Sequence, residues 1–66
     1  MEMIRVNSSA ISAVGYDPST LRMQIRFQQG HTYTYCGVPQ SLFDNLLRSS
    51  SKGMYYDRYI KDKYQC

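Results

Sequence analysis

With 66 residues, 42% of them hydrophobic and a formal charge of +3 at pH 7, the chain has room for one small domain, residues 1–66. A chain this short buries only roughly 60% of its unfolded surface, which excludes a deep substrate cavity and makes a small-molecule substrate unexpected. No apolar run approaches the roughly 18 residues a membrane span needs, and no charged-then-apolar leader is present, so a cytoplasmic protein without a membrane partner is expected.

Taken in chain order, three segments read as short strands. Residues 11–16 mix small residues with β-formers, residues 21–27 alternate strictly, and residues 32–36 are rich in Thr and Tyr. Asp17-Pro18-Ser19-Thr20 between the first two has the Asp and Pro placement of a type I turn. In the alternating segment Leu21, Met23, Ile25 and Phe27 face one way, and Arg22, Gln24 and Arg26 the other. Such a pattern predicts an antiparallel sheet covered on a single face.

The second connection decides where Tyr33 and Tyr35 point. A three-residue loop, Gln28-Gln29-Gly30, closed by a left-handed glycine, pairs Ile25 with Tyr33 and Met23 with Tyr35, so both rings join the apolar row. A two-residue loop, Gln29-Gly30, pairs Arg26 with Tyr33 and sends both rings outward, because a slip of one residue exchanges the faces. The three-residue loop is favoured, since the shorter one forces Gln29 to positive φ.

From Pro39 the period becomes helical. Pro39 suits a first turn, and Leu42, Phe43, Leu46 and Leu47 recur at spacings of three and four, with Asp44, Asn45 and Arg48 opposite. Ser49-Ser50-Ser51 ends that helix and offers Ser51 as the cap of a second, about Met54 to Tyr64, in which Tyr56, Ile60 and Tyr64 lie four apart. Gly53 marks a bend or a close crossing. The expected fold is α+β: a three-stranded antiparallel β-meander followed by two C-terminal helical segments packed on one face.

The pattern Ser8-Ser9, Val14-Gly15-Tyr16-Asp17, Gly30, Tyr33-Thr34-Tyr35, Gly37-Val38-Pro39, Leu46-Leu47, Ser51-Lys52-Gly53, Tyr55-Tyr56 and Ile60 resembles the KTSC domain family. That family is named after the C-terminus of lysyl-tRNA synthetases and also occurs as free-standing small proteins. The resemblance runs from about Ile4 to Tyr64 and makes Tyr33 and Tyr35 the family signature, here expected in the core. It implies no established activity, only a suggested link to RNA and a bacterial or phage setting.

Candidate chemistry is sparse. Cys36 and Cys66 are read as free thiols in a reducing compartment, and with a single histidine they make no metal site. His31 has no residue to orient it as a base and points away from Cys36, while Asp57 and Asp62 are five apart on a helix and share no face. No catalytic residue and no cofactor are assigned, and a non-enzyme is expected. RNA or another polyanion is the first candidate partner, met by Arg22, Arg26, Lys52, Arg58, Lys61 and Lys63 with Tyr55 and Tyr59 interleaved. The alternative is a protein-interaction module or small modulator, of accessory or phage type, acting through the sheet edge or the Tyr-rich helix.

Overall fold

The computed structural model describes residues 1–66 as one antiparallel sheet backed by two helices. The strands are β1 (Met3–Arg5), β2 (Ile11–Asp17), β3 (Arg22–Phe27) and β4 (Thr32–Tyr35), in the spatial order β1-β2-β3-β4. Helices α1 (Gln40–Arg48) and α2 (Lys52–Tyr59) follow. The fold is therefore α+β as expected, with one strand more than the expected meander.

β1 escaped the sequence reading because three residues, Met-Ile-Arg, carry no usable period. It is placed by pairing, with Met3 opposite Gly15 and Arg5 opposite Ala13. Gly15 permits this approach. A Cβ there would stand 2.8 Å from the Glu2 carbonyl oxygen and 2.8 Å from the Met3 sulfur. Strand β2 also lacks alternation for a structural reason. A register shift between Ile11 and Ala13 lets Ile11 and Val14, three apart, both turn into the core.

The β2–β3 turn forms at Asp17-Pro18-Ser19-Thr20, with the Thr20 N–H donating to Asp17 O at 3.3 Å. It then consumes one residue more than expected. Asp17 pairs with Arg22, so Leu21 lies in the loop at φ 57°, 45% exposed, and not in the apolar row with Met23, Ile25 and Phe27. Its carbonyl is held by the Val38 N–H at 2.8 Å.

The β3–β4 hairpin has the favoured three-residue loop. Phe27 N–H donates to His31 O at 2.9 Å, Gly30 N–H donates to Phe27 O at 2.8 Å, and Gly30 has φ 101°. Register then follows: Ile25 opposes Tyr33 and Met23 opposes Tyr35. Both rings lie on the helix side of the sheet, yet only Tyr35 is in the core, at 7% exposure. Tyr33, on the same outermost strand but at the margin of the helical layer, is 53% exposed. The expectation that both signature rings fill the core is corrected for Tyr33.

The core joins Ile11, Val14, Met23, Ile25 and Tyr35 of the sheet to Val38, Phe43, Leu46 and Ile60 of the helical layer. Burying such side chains contributes about 1.5–3 kcal/mol each before entropy is subtracted. Tyr16 stacks on Phe43 at 5.1 Å, and its hydroxyl donates to the Val38 carbonyl at 2.6 Å. Pro39 stands at the N-cap of α1 with extended ψ, one position before the expected first turn. Ser51 caps α2 by accepting the Met54 N–H at 3.4 Å, and Tyr55 ties the helices by donating to the Leu42 carbonyl at 3.2 Å. Gly53 does mark a close approach, but to Ala10 of the sheet layer, 3.3 Å from where a Cβ would stand.

α2 stops at Tyr59, short of the expected Tyr64, and the chain then turns back, with Asp62 at φ 60°. Asp62 thus lies off the helix altogether. The turn returns the C-terminus to β4: Cys36 N–H donates to Tyr64 O at 2.9 Å, and Cys36 and Cys66 form a disulfide. The free-thiol expectation is overturned. Thirty residues separate the two cysteines in sequence, and only the reversal after α2 brings them together.

Candidate nucleic-acid interface

The sheet has one face under the helices and one open. Alternation along the strands puts Met3 and Arg5 of β1, Ala13, Gly15 and Asp17 of β2, Arg22, Gln24 and Arg26 of β3, and Thr32 and Thr34 of β4 on the open side. No aromatic side chain stands in that set. The rings are all on the helix side, where Phe27 meets Tyr33 and Tyr56 edge-on at 5.7 and 5.1 Å.

On the open face Arg5 and Arg26 both stand opposite Ala13, one from each neighbouring strand. Two strand spacings of about 4.8 Å therefore separate their backbones. Both line a shallow depression whose other walls are Val6, Ser12, Ala13, Phe27, Gln28 and Gly30, with no acidic residue among them. Its rim is firm: Ser12 donates to the Arg26 carbonyl at 3.1 Å, and the Gln28 amide donates to the Ser8 carbonyl at 2.9 Å.

Arg22 shares the face but has a different neighbour. It opposes Asp17, whose carboxyl is held below its ordinary value by the Ser19 hydroxyl at 2.7 Å and the Ser19 N–H at 3.0 Å. A carboxylate so held stays ionised and offsets the Arg22 charge locally.

The six cations singled out from sequence do not form one patch. Arg22 and Arg26 are on the open face. Lys52, Arg58, Lys61 and Lys63 belong to α2 and the turn after it, across the sheet. Lys52 is engaged with the Ser49 carbonyl at 3.1 Å. Arg5 was missed, since its role depends on β1. The signal available was Gly15, a glycine inside a strand, which marks a close backbone neighbour.

As for other chemistry, Cys36 is taken up by the disulfide and His31 sits beside the Tyr33 ring at 6.3 Å. No helix is long and apolar enough to cross a membrane.

The model of the KTSC domain matches residues 7–64. The chain belongs to the KTSC domain family. This KTSC domain is 42% identical over 60 residues to a protein of Tsukamurella paurometabola, with 91% of this chain and 90% of that one covered. A lysine–tRNA ligase of Nostoc sp. is 30% identical over 63 residues, 96% of this chain but 11% of the ligase. Among solved structures, a KTSC domain protein from Yersinia pestis superposes with a TM-score of 0.95 at 38% identity, over 98% of this chain and 92% of that one.

Proposed function

We propose that this KTSC domain is a small non-enzymatic binding module for a polyanion, RNA first, that uses the open face of the sheet. The observation that carries the reading is the Arg5–Ala13–Arg26 row, one cation on either side of a small residue with no carboxylate around their depression. Guanidinium groups so placed suit phosphates, which they meet with paired N–H donors. The absence of rings on that face points to contact with the backbone rather than with unpaired bases. Attachment of a related domain to a lysine–tRNA ligase of Nostoc is consistent with an RNA partner.

A titration with tRNA and with single-stranded RNA at low salt tests it. Binding should weaken steeply between about 50 and 200 mM salt and should require Arg5 and Arg26. An affinity no tighter than about 0.1 mM, the weak end of non-specific binding, rejects the RNA reading.

A second reading, protein binding, draws on α2, which leaves Met54 and Tyr59 exposed and sets the Tyr55 and Tyr59 rings 4.7 Å apart, tilted by 43°. Apolar and aromatic side chains of this kind are enriched at interfaces.

A further inference from the structure

Strand β4 closes the sheet on one side, and its sequence is Thr-Tyr-Thr-Tyr. It carries no charge, no proline and no bulge, the devices that usually keep an outer strand from pairing with another chain. Since Phe27, Ile25 and Met23 of β3 take the hydrogen-bonding groups of His31, Tyr33 and Tyr35, the groups of Thr32, Thr34 and Cys36 turn outward. The C-terminal segment covers part of this edge. Tyr64 O accepts the outward Cys36 N–H at 2.9 Å, Cys66 Sγ comes within 3.6 Å of Thr34 O, and the disulfide fastens the segment there. The same segment, through Asp62 and Gln65, walls the depression in which Tyr33, Tyr35 and Tyr56 meet.

We propose that the Cys36–Cys66 disulfide is a redox-released latch: its reduction frees the C-terminal segment and uncovers the edge of β4, which then pairs with β4 of a second copy of this chain. Cys66 is exposed and Cys36 half-buried, so Cys66 is the sulfur a reductant reaches. A dithiol reductant suffices. Its thiolate attacks Cys66 Sγ and Cys36 leaves as a thiolate that takes up a proton. The second thiol of the reductant then displaces Cys66, so the reductant ends as a disulfide and the protein with two thiols. A second copy fits the edge because an uncharged Thr-Tyr repeat is free of like-charge repulsion when two such strands run antiparallel, and Thr and Tyr are strong strand formers.

The test compares the protein purified without reductant, the same protein in dithiothreitol, and the Cys36→Ser/Cys66→Ser double variant. Thiol alkylation under denaturing conditions, read by mass, should find no free thiol in the first and two in the second. At a concentration where the reduced chain is still monomeric, the Cys36 amide should lose its protection from hydrogen exchange while the Val14 and Ile25 amides stay protected. The reduced protein and the double variant should sediment as monomer and dimer in a concentration-dependent ratio, and the oxidised protein as monomer. Thr34→Pro, which removes an outward N–H without touching the ladder to β3, should leave the reduced chain monomeric. Two free thiols in the unreduced protein, an unchanged Cys36 amide in the reduced monomer, or a reduced chain that stays monomeric at every concentration each overturn the latch. Val14 and Ile25 amides that exchange as freely as the Cys36 amide also overturn it, since the whole fold would then have opened and not the C-terminal segment alone.

Discussion

The hydroxyls of Tyr35 and Tyr56 meet at 2.9 Å, joining the last strand of the sheet to the middle of the second helix. Their rings stand edge to face at 6.1 Å. Each hydroxyl serves the other, so this boundary of a very small core is polar without leaving an unsatisfied group. Tyr35→Phe removes one partner of the pair and should cost about 1 kcal/mol, read as a lower denaturant midpoint at unchanged slope.

The same tyrosine predicts an alkaline limit. Burial first, and the Tyr56 hydrogen bond next, push the Tyr35 hydroxyl above its ordinary value of 10.0. The unfolded chain then releases this proton at lower pH than the folded one. The stability it contributes is complete below pH 10.0 and is lost as the pH rises beyond that value. Denaturant midpoints measured on the alkaline side should fall with pH, and less steeply in Tyr35→Phe.

Gly15→Ala should detach β1. The new methyl group would stand 2.8 Å from the Glu2 backbone oxygen, which cannot give way as a side-chain end would. A cost of about 1–3 kcal/mol is expected, as for other overpacked sites. Hydrogen exchange would show it locally, with the Ile4 amide losing protection and the Ile25 amide keeping it.

Reduction of Cys36–Cys66 should lower stability by about 2–4 kcal/mol, because the link spans 30 residues and restricts the unfolded chain. Urea unfolding with and without a dithiol measures it. Equal midpoints would show that the link contributes nothing to the free energy of folding.

On the RNA reading, Arg5→Ala and Arg26→Ala should each reduce the steepness of log affinity against log salt by about 0.7 on single-stranded RNA. Lys61→Ala and Lys63→Ala, across the sheet, should leave the slope unchanged. Equal effects of the two pairs would remove the open face from consideration.

Much of the fold was legible from local pattern. Strict alternation located β3 and its faces, Gly30 set the loop that fixed the β4 register, and the three-to-four spacing of Leu42, Phe43, Leu46 and Leu47 located α1. Each rests on chemistry within a few residues: a pleat, a left-handed glycine, a helical turn. The errors share the opposite origin. Leu21 left the apolar row because the turn borrowed one residue, and Tyr33 was exposed because the helical layer buries β4 only at Tyr35. Neither the extra turn residue nor the limit of the helix cover along β4 follows from the period of the segment itself.

The candidate site divides the same way. Residue types and net charge drew attention to Arg22 and Arg26, and the order of motifs to the KTSC family. The sequence by itself therefore determined the faces of β3, the register of β4, the first helix and the membership. Which cations stand together was decided only when β1 crossed Gly15 and brought Arg5 to Ala13, while Asp17 came to oppose Arg22. The pairing of Cys36 with Cys66 likewise waited on the reversal after α2. Local sequence encodes local geometry through sterics and hydrogen-bond reach, whereas contacts between residues far apart along the chain depend on how whole elements pack, which no short window contains.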